Sequence, residues 1–153
     1  GKLYGAQDFS SLRILAKRCL NYGLMMACLL LVVGIIAYSD LGKIFSNQVA
    51  VISVFNSFFI LVLVTLPINA VAFIYDGIFK GLGKMGFLRN VLLISTFIGF
   101  IPTLYISQHF ELGIYGVWLA FIVWMLIRAV SLVWKFNQFI KIEGNETVGL
   151  SKM

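Results

Sequence analysis

Four stretches of this chain carry no charged side chain: Cys19 to Ser39, Ile44 to Tyr75, Asn90 to Phe110 and Leu112 to Ile127. A helix of about 20 apolar residues crosses the roughly 30 Å hydrocarbon core of a bilayer. Three of the stretches are near or above that length. The fourth is cut by Arg128, yet its apolar pattern resumes through Trp134. The expected fold is therefore all-α and integral to a membrane, with four transmembrane helices at about 20–39, 50–75, 91–109 and 113–135. The runs are long and do not alternate, which argues against barrel strands. The second stretch exceeds one straight span. Its opening, Ile44-Phe45-Ser46-Asn47-Gln48, holds three consecutive polar residues and reads as an interfacial lead-in.

Composition supports the same class. Of 153 residues 61% are hydrophobic and 12% charged, against about 25% charged in an ordinary soluble domain. A core of this size could not hide that much apolar surface. Two prolines and no glycine period exclude a disordered or collagen-like chain, and two cysteines cannot build a disulfide scaffold. Cys19 and Cys28 are nine positions apart, on opposite helix faces, so they make neither a bridge nor a metal pair.

The net charge of +6 is explained by topology, with no nucleic-acid partner. Lys2, Arg13, Lys17 and Arg18 precede the first span. Lys80, Lys84 and Arg89 lie between the second and third. Arg128, Lys135, Lys141 and Lys152 belong to the last span and tail. Only Lys43 stands on the opposite side, a division of eleven to one. By the positive-inside rule both termini and the middle loop are expected in the cytoplasm, with Asp40 and Glu111 outward. The first span is followed by three more and is no signal peptide. Asn145-Glu146-Thr147 fits a glycosylation acceptor but falls in the polar tail, 139–153, on the cytoplasmic side.

Local patterns add detail. Asp8 before Phe9-Ser10-Ser11 reads as a helix N-cap. After it, Leu12, Leu15, Ala16 and Cys19 share a face. This segment is either an amphipathic helix on anionic lipid or the basic inner end of the first span. Pro67 lies inside the second span, where it removes a donor and frees the carbonyl of Leu63. Asn69, Phe73, Asp76 and Lys80 follow at helical spacing, so a kink, an amide and a carboxylate share one side. Asp76 is either an interfacial anchor paired with Lys80 or Arg89, or a group in ion coupling or gating. Gly77, Gly81, Gly83 and Gly86 read as a hinge, with Gly77 and Gly81 spaced for close helix approach. Pro102 interrupts the third span. His109, the single histidine, reads as a solvated loop end. Gly116 and Ala120 make a small-residue strip in the fourth span. Trp118 and Trp134 are separated by about 24 Å of helical rise, as interface anchors would be. Arg128 between them either snorkels inward or faces the bundle and pairs with a carboxylate. No nucleophile–base–orienter set is present, so no enzyme is expected.

From Leu66 to Arg128 the chain runs Leu66-Pro67-Ile68-Asn69-Ala70-Val71-Ala72-Phe73, then Asp76-Gly77-Ile78-Phe79-Lys80-Gly81-Leu82-Gly83 and Leu88-Arg89-Asn90. Gly113-Ile114-Tyr115-Gly116-Val117-Trp118-Leu119-Ala120 and Trp124-Met125-Leu126-Ile127-Arg128 complete the pattern. It resembles the last part of a multidrug and toxic compound extrusion (MATE) transporter, most like the DNA-damage-inducible F (DinF) branch. The opening Gly1-Lys2-Leu3-Tyr4-Gly5-Ala6-Gln7-Asp8 resembles the glycine-alanine loop after the second helix of each half in that family. The resemblance spans residues 1–138. It implies a twelve-helix fold in two six-helix lobes, of which this chain supplies helices nine to twelve as a C-terminal fragment. Its partners would be the missing N-terminal lobe, the lipid bilayer and an amphipathic small-molecule substrate. The implied activity is secondary antiport by alternating access in a bacterial inner membrane, driven by protons or sodium, with no bound cofactor. The acidic residues usually given the ion role in this branch lie in the first lobe. Asp76, Asn69 and Pro67 match the family block and are the local candidates for conformational change, with Arg128 beside them. The alternatives are a lipid-intermediate flippase of the same superfamily and a stand-alone four-helix structural subunit. A small four-helix multidrug exporter is disfavoured, because the first span holds no acidic residue.

Overall fold

The computed structural model describes residues 1–45 and 48–150, with side chains described outside 39, 40, 43, 45, 50 and 143–150. Seven α-helices follow in chain order: α1 Lys2–Gly5, α2 Phe9–Ile36, α3 Tyr38–Phe45, α4 Val49–Gly81, α5 Met85–Ile94, α6 Ile101–His109 and α7 Gly113–Leu150. A π-helical turn, Ser95–Phe100, joins α5 to α6 in one continuous rod. There is no strand among the described residues. Four helical segments are long and apolar enough to cross a membrane: Phe9–Ile36, Val51–Gly81, Met85–His109 and Gly113–Ile142.

The first span begins earlier than the charge gap implies. Asp8 caps α2 by accepting a hydrogen bond from the Ser11 amide at 2.9 Å and another from the Ser10 hydroxyl at 2.7 Å. From that cap a single helix runs 28 residues. The basic segment is thus the end of the span itself, with no break between it and the apolar part. The face anticipated for it is half right. Leu12 and Ala16 are buried, together with Phe9, while Leu15 and Cys19 are exposed.

Two turns show why the helices stop where they do. After α4 the Gly83 amide donates to Lys80 O and the Lys84 amide to Phe79 O, closing the carbonyls that the helix end leaves open. Gly83 adopts φ +72, which a residue without a Cβ takes at no steric cost. The same pattern ends α6, where Glu111 takes the left-handed conformation at φ 54 and the Leu112 amide donates to Ser107 O. Of the four glycines read as a hinge, Gly83 is the one with positive φ. Gly77 has nothing within 4 Å among the described residues, while a Cβ on Gly81 would meet the Gly1 backbone nitrogen at 3.6 Å.

In lipid the gain from helix contact comes from close packing rather than from escape from water. The small residues sit accordingly. A Cβ on Gly34 of α2 would meet Leu63 of α4 at 2.3 Å, and one on Gly116 of α7 would meet Ser107 of α6 at 2.4 Å. Ala120 beside Gly116 is fully buried, as the small-residue strip requires. Thus α4 packs between α2 and α7, and the α5–α6 rod packs along α7. The densest core gathers at the basic end, where Phe9, Leu12, Tyr75, Phe79, Leu88, Leu132 and Phe136 cluster. The opposite face of α2, including Met25, Met26, Leu29, Leu30 and Val33, is exposed.

The helical backbone of α7 continues to Leu150, beyond the span and through most of the polar tail. Ser46, Asn47 and Lys152 lie outside the described residues, as do the side chains of Asp40, Lys43, Asn145, Glu146 and Thr147. The lead-in segment, the outward lysine and the acceptor triplet are therefore not placed. Where a plain loop is expected near Asp40, the backbone forms α3. The Tyr38 hydroxyl at its start donates to Asn56 O of α4 at 3.0 Å.

Candidate functional site: a buried ion pair between two membrane helices

Pro67 lies inside α4 and Asp76 follows on the same helix toward its basic end. Nine residues separate them, about 14 Å of rise. Asp76 points at α7, and there Arg128 donates from Nη2 to its Oδ2. Asp76 is 6% and Arg128 8% exposed. Of the two orientations open to Arg128, the structure has the one that faces the bundle. The partner of Asp76 is this arginine. Lys80, one turn below, and Arg89 on α5 are both exposed to the surroundings.

The pair has an aromatic frame. The guanidinium carbon lies 5.7 Å from the Phe73 ring centre and 5.4 Å from that of Trp124. Aromatic faces attract a desolvated cation and offset part of the cost of holding it away from water. Trp124 is held in turn, its Nε1 donating to Thr96 Oγ1 at 3.2 Å. Thr96 belongs to the π-helical turn. The site therefore draws on three of the four spans: α4 supplies the carboxylate, α7 the guanidinium, and the third rod the residue that fixes the tryptophan. Arg128 Nε is buried without a partner, so the guanidinium keeps unused donor capacity.

Asn69 sits two turns above Asp76. Its Oδ1 is buried with no hydrogen-bond partner. It lines a small cavity of about 80 Å³ with Thr65, Trp118, Phe121, Ile122 and Met125. The Thr65 hydroxyl donates to Val62 O at 2.7 Å. This cavity brackets Pro67, whose missing N–H leaves the Leu63 carbonyl short of its helical donor. The α-helix continues through Pro67 without interruption, and a proline inside a membrane helix is tolerated where neighbouring protein groups or an internal cavity meet the freed carbonyl. Trp118, read from spacing as an interface anchor, turns inward and forms part of this cavity wall. Trp134 remains exposed.

The π-helical turn was not legible. Pro102 at the start of α6 cannot donate to a carbonyl one turn back, and the helix widens just before it. Within that turn Gly99 packs on α7, where a Cβ would meet Ile127 Cδ1 at 2.7 Å. Ser95 is fully buried and donates to Val91 O at 2.7 Å. Such π segments recur at functional sites. Among the described residues no group of three His, Cys, Asp or Glu side chains gathers as a metal site would need. His109 is exposed, against the ring of Phe110.

No solved structure matches the chain significantly. It is 26% identical over 134 residues to the Arabidopsis thaliana protein DETOXIFICATION 44, chloroplastic, covering 88% of this chain and 25% of that protein. It is 24% identical to DETOXIFICATION 42 of the same plant, over 88% of this chain and 26% of the relative. DETOXIFICATION 43 is 26% identical, with 84% of this chain and 24% of the relative covered. The chain thus spans about a quarter of the length of the curated relatives it matches. The MatE family model matches residues 1–106, which takes in the glycine-alanine opening, α4 with Pro67 and Asp76, and the π-helical turn. With four membrane-length helices and that match over most of its length, this chain is a multi-pass membrane protein that belongs to the MatE family.

Proposed function

We propose that this chain is part of a secondary active exporter that moves amphipathic organic or xenobiotic compounds by alternating access, in exchange for protons or sodium. Proteins of the family are transporters and not, in general, enzymes. The name of the relatives, detoxification, fits export of foreign compounds. The observation that carries the reading is the buried Asp76–Arg128 pair, whose carboxylate stands on the helix that carries Pro67 in its interior. Ionisable groups inside a membrane are costly and mark transport pathways. In this reading the pair is a clasp, not an ion ligand. Arg128 already neutralises the carboxylate, so Asp76 fixes the lower half of α4 on α7 while Pro67 lets the upper half move. Asn69 takes part by offering its free Oδ1 to water in the cavity, which at about 80 Å³ is too small for an organic substrate. The coupling ion itself is taken up elsewhere in the full protein, and no cofactor is involved. The N-terminal lobe of the same protein covers the exposed face of α2 and completes the pathway.

The membrane in this reading is a bacterial inner membrane with both termini in the cytoplasm; the Lys and Arg outside the bundle, ten against Lys43, support that orientation. The test is transport by the full-length protein in sealed proteoliposomes. Movement of a lipophilic cationic dye that requires an imposed proton or sodium gradient supports the antiporter. Transfer of a fluorescent lipid between leaflets, with no dye movement, would favour the flippase. Gradient-independent behaviour on both would exclude antiport.

A further inference from the structure

We propose that the cleft between α2 and α7 at the basic end of the bundle binds an anionic phospholipid, taking its phosphate at the mouth and its first methylenes against the floor. Two adjoining cavities, of about 530 and 410 Å³, share Arg13 and Asn137 in their walls. The mouth carries Arg13, Lys17 and Lys141. Among the described residues no carboxylate lines it. Tyr75 and Phe136 form the floor, and their rings pack edge to face at 5.3 Å.

Two features select a lipid over a soluble anion. The cleft passes from cations to an apolar floor in the direction in which α2 enters its uncharged stretch at Cys19. A phospholipid presents its charge and its hydrocarbon in that same order. In the orientation proposed above, on which this step rests, the cations stand at the cytoplasmic end of the spans, where anionic headgroups are held at high local concentration. Basic clefts between membrane helices on that side suit such headgroups. Arg13, Lys17 and Lys141 are exposed, so their side chains are free to close on a phosphate, with Asn137 as a neutral donor between them.

The experiment is native mass spectrometry of the full-length protein released from detergent. The probes are phosphatidylglycerol and phosphatidylcholine of identical acyl chains, with glycerol phosphate as a soluble competitor. The expected result is selective retention of phosphatidylglycerol. The double variant Arg13→Gln/Lys17→Gln should lower that selectivity at least about tenfold, since each basic contact near an anionic surface is worth about fivefold. Lys80→Gln/Arg89→Gln, with the same charge loss outside the cleft, should leave it unchanged. Asn137→Trp fills the shared wall without altering charge and should also weaken retention, so it decides the matter if the double variant is poorly folded. Equal retention of the two lipids by the unaltered protein would overturn the proposal. So would full retention by Asn137→Trp, or displacement of the lipid by glycerol phosphate, which would mark a soluble-anion site.

Discussion

Arg128 on α7 donates to Asp76 on α4 across 52 positions of sequence, with both side chains less than one-tenth exposed. Breaking a buried pair by removing one partner costs about 3–5 kcal/mol, because the other charge stays buried and unpaired, whereas replacing both with apolar groups is often close to neutral. Asp76→Leu and Arg128→Met should therefore each lower stability by about that amount. The double variant should be markedly more stable than either single one. Thermal unfolding of the full-length protein in detergent measures the cycle. Additive losses would mean that the two groups are not coupled.

The glycines separate close packing from mere spacing. A Cβ at Gly116 would meet Ser107 Cβ at 2.4 Å, an atom attached directly to backbone. Gly116→Ala should cost about 1–3 kcal/mol as an overpacked contact. At Gly99 the nearest obstacle is the tip of Ile127, so Gly99→Ala should cost less. Gly77 is helical and meets nothing within 4 Å. Gly77→Ala should stabilise by about 0.5–1 kcal/mol. The order of the three melting temperatures tests the packing.

The cap of the first span gives a pH dependence. Hydrogen bonds from Ser11 and Ser10 hold the Asp8 carboxyl below its ordinary value of 3.8. A carboxylate whose folded-state pKa is depressed contributes stability that is fully present above the unfolded value. That contribution fades as pH falls through the lower folded value. The stability gap between the unaltered protein and Asp8→Ala should therefore be constant from neutral pH to about 5 and shrink below 4. Melting temperatures of the two proteins across that range check it, and a gap that widens in acid would contradict the assignment.

Much of this was legible in the sequence, for reasons that differ by feature. The four spans were readable because a single charge in hydrocarbon is so costly that its absence over twenty residues leaves few alternatives. Asp8 was readable because capping is a local matter of one side chain and the next turn. Arg128 was not. Its two orientations have the same helical phase, and only the position of Asp76 on a neighbouring helix separates them. The Asp8 cap marks the start of α2, whereas the charge gap marks only its apolar part, because Arg13, Lys17 and Arg18 end a hydrophobic run without ending a helix. The Gly77–Gly81 spacing shows the limit of such a signal, since small residues permit close approach and do not say which segment approaches; here the Gly1 backbone lies against Gly81. The π-helical turn left a faint signal in Pro102, but a proline says that a bond is missing without saying how the backbone will absorb the loss.

The clasp is tested most directly by reversing its charges. Gradient-driven dye efflux would be measured for the full-length protein in proteoliposomes, comparing Asp76→Asn, Arg128→Gln and the exchange Asp76→Arg/Arg128→Asp at matched reconstitution. The account predicts that each single change loses most transport and that the exchange recovers a substantial part of it. Full efflux by well-folded Asp76→Asn would contradict the account and leave the pair a structural tie.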